Sequence, residues 1–107
     1  MHTTTMPALD DATFDATVAP GSGTIALEFG AEWCGACRVM APALEQVARD
    51  LDGSVRFFTI DADYNPRVVT RFAVRALPTL LVFRDGELVD RIVGAQSRSQ
   101  LLARLAS

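Results

Sequence analysis

The sequence predicts an α/β fold, a central mixed sheet flanked by helices on both faces. Three observations lead there. Apolar runs with strand character alternate with stretches of helical period, which implies parallel crossovers. The last two strand-like runs are separated by Asp85-Gly86, a hairpin signal that adds an antiparallel edge. The 107 residues, half of them hydrophobic, are enough for one compact core and too few for two.

Taken in order, Leu9, Phe14 and Val18 fall at roughly helical spacing, with Asp10 or Asp11 as cap, and predict a short first helix. Pro20-Gly21-Ser22-Gly23 breaks the chain. Thr24 to Phe29 reads as a buried strand carrying one acid, Glu28. Val39, Met40, Ala43, Leu44, Val47, Ala48 and Leu51 then repeat with helical period. Pro42 lies inside that run and is expected to kink it; Asp52-Gly53 ends it. Ser54 to Ile60 is the second strand. Asn65-Pro66 reads as the cap and first position of a short helix reaching Phe72. Thr79 to Phe83 is almost unbroken apolar sequence, as a central strand requires, and Glu87 to Val93 completes the hairpin. Ser97-x-x-Gln100 is a capping box for a last helix bearing Leu101, Leu102 and Leu105.

Composition excludes several function classes. The net charge is −3 and all ten basic residues are arginines, scattered from Arg38 to Arg104, so there is no basic stripe for nucleic acid. No apolar run approaches the ~20 residues of a membrane span. Residues 1–7 have neither a basic nor an apolar leader region and read as a flexible tail on a single domain filling 1–107; a cytoplasmic, monomeric protein is expected.

The two cysteines, Cys34 and Cys37, are three apart. A structural disulfide more usefully closes a long loop, and a structural zinc site needs four ligands. The only histidine is His2, in the tail, so no metal site is expected. Close spacing of this kind favours redox chemistry over stapling. Residues i and i+3 of a helix lie about 5 Å apart at Cα, within disulfide range. Cys34 stands where the long helix begins, where unpaired N–H groups and the positive end of the dipole favour a thiolate. Cys37 lies one turn inside. Cys34 is therefore expected to be the exposed, attacking thiol and Cys37 the resolving one.

Ala31-Glu32-Trp33-Cys34-Gly35-Ala36-Cys37-Arg38 followed by Met40-Ala41-Pro42 resembles the active site of the thioredoxin family. Ile60-Asp61, Val74 to Leu80 and Val93-Gly94-Ala95 match further family segments in order, so the likeness covers nearly the whole chain from about Leu9. The resemblance implies the thioredoxin fold and reduction of protein disulfides by dithiol–disulfide exchange. It implies that the redox group is the Cys34–Cys37 disulfide itself, with no bound cofactor. Electrons would come from NADPH through a thioredoxin reductase, and the substrates would be disulfide-containing proteins. It also implies that Pro78 is a cis-proline facing the cysteines and that Leu77 offers backbone hydrogen bonds to substrate. Trp33, Gly94 and Ala95 complete an apolar docking patch, and Glu28 relays a proton to the resolving thiol.

Four departures from the family pattern stand out. Glu28 is one methylene longer than the usual aspartate, Thr59 stands where a lysine is common, and Gly30 replaces a second tryptophan. In the active-site loop, Gly35-Ala36 replaces Gly-Pro, and the restored N–H of Ala36 is expected to reach the Cys34 sulfur. Two other readings of the chain are a thiol oxidant or isomerase and a non-catalytic binding module on the same fold.

Overall fold

The structure, a computed structural model, describes residues 6–19 and 22–106. Most of the tail expected over residues 1–7, with His2, and Pro20-Gly21 of the expected break lie outside the described residues. The elements are β1 (Ala8–Leu9), α1 (Phe14–Val18), β2 (Thr24–Gly30), α2 (Gly35–Asp50), β3 (Val55–Asp61), a 3-10 turn (Ala62–Tyr64), α3 (Pro66–Arg71), β4 (Thr79–Arg84), β5 (Glu87–Val93) and α4 (Arg98–Leu105). The strands form one sheet in the order β1-β3-β2-β4-β5. β1 and β2 run parallel to β3, whereas β4 is antiparallel to both β2 and β5, so the sheet is mixed as expected.

Period-two alternation sends strand side chains to opposite faces. Ala26, Phe57, Leu80 and Val82 pack with Met40, Leu44 and Val47 of α2 and with Leu101 and Leu105 of α4. The alternate positions, Ile25, Leu27, Phe29, Leu81 and Phe83, pack with Phe14 and Val18 of α1 and Val68 of α3. Helices thus cover both faces. Phe14, Phe72 and Phe83 meet edge to face, with ring centroids 5.5 to 5.8 Å apart. Glu28 and Gly30 share the face of Ala26, so the one acid of β2 lies on the side that α2 covers.

The first helix is shorter than expected. Leu9 pairs with Ile60 as part of β1, and α1 begins only at Phe14. Neither aspartate caps α1: its N-cap is Thr13, without a side-chain cap bond. Asp10 closes the preceding turn by accepting the Thr13 N–H at 2.8 Å. Asp11 reaches across to α3, where its carboxylate accepts the N–H groups of Arg67 at 3.1 Å and Val68 at 3.0 Å. Asn65, the expected cap of α3, makes no cap bond. Its Oδ1 instead accepts the Asp11 N–H, and its Nδ2 donates to the Asp61 carbonyl, both at 2.8 Å. A carboxylate is the stronger acceptor for helix N–H groups, and Asn65 is left to tie the two loops together.

Other local signals act where they stand. Pro66 occupies the first turn of α3, and Ser97 and Gln100 form both bonds of the capping box. α2 continues through Pro42, which is exposed. Asp85 and Gly86 both take positive φ (53° and 86°), as a type I′ hairpin demands. At Gly86 a Cβ would stand 2.6 Å from the Ala19 carbonyl oxygen, so only glycine fits. No helix among the described residues is long and apolar enough to cross a membrane.

Candidate active site

Strand register collects the chemistry at one edge of the sheet. Gly30, ending β2, lies opposite Asp61, ending β3. Phe29 lies opposite Thr79, the first residue of β4, and Thr79 lies opposite Val93, the last of β5. β2 has a parallel neighbour on one side and an antiparallel one on the other. The segments leaving this edge therefore diverge and frame a crevice, the usual location of a site in an open sheet.

The loop after β2 delivers Cys34 to the N-cap of α2 in an extended conformation (φ −83°, ψ 105°). Its Sγ accepts the backbone N–H of Cys37 at 3.1 Å. The donor is thus Cys37 rather than Ala36, because an N-cap side chain reaches the third helical N–H, as in a serine cap. Cys34 and Cys37 are joined by a disulfide with their Cα atoms 5.3 Å apart. Gly35 and Ala36 between them are exposed. Contrary to expectation, Cys34 is not the more exposed of the pair: it is 4% exposed and Cys37 is 8%. The cause lies beside Cys37, where a pocket opens.

That pocket, of about 300 Å³, is lined by Glu28, Gly30, Cys37 and Thr59 among others. A Cβ on Gly30 would lie 3.2 Å from Glu28 Oε2 and 3.5 Å from Cys37 Sγ, so the acid and the inner sulfur flank one point in space. Glu28 is half-buried, and desolvation raises its pKa above the ordinary carboxylate value. Thr59 pairs with Glu28 across β2 and β3 and supplies no charge.

On the other side of the crevice the Leu77–Pro78 peptide bond is cis. Pro78 is buried and Leu77 half-buried. The Pro78 carbonyl accepts the Gly94 N–H at 2.9 Å, and Gly94 takes φ 91° to present it. Thr79 Oγ1 donates to the Ala76 carbonyl at 2.6 Å, closing the turn before β4. Ala95 is exposed next to Gly94, and Val93 (52%) is exposed before it; Trp33, in the loop ahead of Cys34, is 67% exposed. The Trp33 indole N–H donates to Asp63 Oδ2 at 2.8 Å, and Asp61 in turn accepts the Asp63 N–H at 2.9 Å. An exposed tryptophan N–H wants an acceptor, but only the turn after β3 tells which acid lies within reach. Arg38 donates to the Glu32 carbonyl and spans the loop ahead of the cysteines.

The family model for thioredoxin matches residues 5–107. The chain is 43% identical over 91 residues to the thioredoxin of Staphylococcus saprophyticus, covering 85% of this chain and 86% of that one. It is 37% identical over 94 residues to thioredoxin 1 of Synechococcus elongatus, covering 88% of each.

The chain belongs to the thioredoxin family. It has the thioredoxin fold and is a protein-disulfide oxidoreductase that reduces disulfides by dithiol–disulfide exchange. The redox group of a thioredoxin is intrinsic, here the Cys34–Cys37 pair, and no prosthetic group is involved. Thioredoxins in general take disulfide-containing proteins as substrates and are re-reduced by a thioredoxin reductase.

Proposed function

We propose a division of labour within this site. Cys34 is the nucleophile that attacks a substrate disulfide, and Cys37 resolves the mixed disulfide. The observation that carries this reading is the Cys34 sulfur at the N-cap of α2, accepting the Cys37 N–H at 3.1 Å. The same donor and the helix dipole favour the Cys34 thiolate, whereas Cys37 sits within the first turn. The attack leaves one substrate thiol free; Cys37 then displaces the second and re-forms the intramolecular disulfide. Glu28 relays the proton of Cys37: it is half-buried on the same face, its carboxylate flanks the Cys37 sulfur, and desolvation raises its pKa above the ordinary carboxylate value.

Docking falls to the opposite wall of the crevice. The backbone of Leu77 beside cis-Pro78 pairs with an extended substrate segment, in the manner of strand addition. Trp33, Gly94 and Ala95 cover its flanks, and Gly35-Ala36 leaves the loop over the disulfide low and open. The protein acts as a single-domain monomer in the cytoplasm, where reducing conditions suit a disulfide reductase, and receives NADPH electrons through its reductase.

Insulin reduction driven by NADPH and a thioredoxin reductase tests the assignment. Cys34→Ser should abolish turnover, and Cys37→Ser should accumulate a mixed disulfide on Cys34. Trapping of substrate on Cys37 in a Cys34→Ser protein, with none on Cys34 in the Cys37→Ser protein, would reverse the two roles.

A further inference from the structure

The pocket beside Cys37 has no part in the docking surface. It lies on the α2 face of the sheet, between the ends of β2 and β3 and the first turns of α2, whereas Pro78 and Gly94 lie toward β4 and β5. Its floor carries Glu28 and the Cys37 sulfur. Two absences keep it open. Gly30 has no side chain at the point flanked by Glu28 Oε2 and Cys37 Sγ, and Thr59 fills little of the space opposite Glu28. The walls are largely apolar, with Ala31 and Ala41 contributing, and the mouth is charged by Glu32, Asp61 and Arg38.

We propose that this pocket is a second entrance to the redox centre, through which small uncharged disulfides reach the Cys37 sulfur without crossing the Trp33 face. Gly30 is the residue that holds it open. At about 300 Å³ the pocket has room for a molecule of a few heavy atoms. Two carboxylates against one guanidinium at the mouth disfavour anions.

In the reduced protein Cys37 passes its proton to Glu28, and the resulting thiolate attacks one sulfur of the entering disulfide. The S–S bond breaks, one thiolate leaves and takes up a proton, and a mixed disulfide forms on Cys37. Cys34 then attacks the Cys37 sulfur, displaces the second small thiol and closes the Cys34–Cys37 bond. The small disulfide gains two electrons and the protein dithiol loses two. The route rests on the oxidoreductase reading of the pair, but inverts which cysteine attacks first.

The test uses the reduced Cys34→Ser protein, whose only thiol is Cys37. Hydroxyethyl disulfide is added, and mixed-disulfide formation is followed by intact mass, with rates normalised to those of a free model thiol. Capture on Cys37 is expected, slowed about tenfold or more when Gly30→Val or Ala41→Leu fills the pocket from either wall. The dicarboxylate analogue dithiodiglycolate should be captured about tenfold more slowly than the neutral reagent. Circular dichroism checks the fold of each variant, and either filled variant suffices. Equal rates in the folded filled variants and the Cys34→Ser parent, or equal normalised rates for the neutral and anionic reagents, would overturn the proposal. Insulin reduction by the unmodified chain reports separately on the main function, so either result can fail without the other.

Discussion

Glu28→Gln should make the oxidised protein more stable at neutral pH while leaving its stability in acid nearly unchanged. The side chain is half-buried, and desolvation raises its pKa above the ordinary carboxylate value. Below about pH 4 the carboxyl is protonated in both folded and unfolded chains, and the variant differs little. As the pH rises past the unfolded value, the unfolded chain releases its proton while the folded one retains it. Folding must then take a proton back, so the wild type loses stability at up to about 1.4 kcal/mol per pH unit until the folded group also ionises. Above that point the penalty is constant and amounts to about 1.4 kcal/mol for each pH unit by which burial raises the folded pKa. Glutamine keeps the shape and carries no charge, so the stability difference between variant and wild type should climb from about pH 4.5 and then level off. Urea denaturation of both oxidised proteins at intervals from about pH 4 to pH 8 measures it. A difference independent of pH, or one that grows on acidification, would refute the placement of Glu28 in a desolvated site.

Three further outcomes are expected. Asp11→Ala removes the carboxylate that accepts the Arg67 and Val68 N–H groups and should cost about 0.5–2 kcal/mol in denaturant, with hydrogen exchange rising first in the opening turn of α3. Phe14→Ala takes out a ring that is 2% exposed and stacked edge to face on Phe72 and Phe83, and should cost about 3–5 kcal/mol in the same assay. Asp63→Ala frees the indole of Trp33, the chain's only tryptophan, so its fluorescence anisotropy should fall while the global melting midpoint barely moves.

The local rules of the chain proved sufficient for most elements. Each of β2 to β5 and of α2, α3 and α4 starts or stops where a proline, a glycine turn or a cap stands in the sequence, because those residues act on their own backbone. The exceptions share a cause. Leu9 reads as helical from its spacing to Phe14 and Val18, but the edge of β3 offers it a partner about fifty residues away, and pairing beats a weak local preference. Asp11 takes the capping role expected of Asn65 because a loop brings its carboxylate to the start of α3, which no window of sequence displays.

The candidate site divides along the same line. The redox pair and its place at a helix start were legible in residue type and short spacing, whereas Glu28 and Pro78 were singled out only by the resemblance to the family. Tertiary structure alone decided which N–H reaches the Cys34 sulfur, which acid holds Trp33, and that Cys37 is slightly less covered than Cys34. It also turned Gly30 and Thr59, two missing side chains in the sequence, into a pocket against the inner sulfur. An absence acquires a shape only when the surrounding elements have packed, and that is why the reaction could be read from the chain while the second way in to it could not.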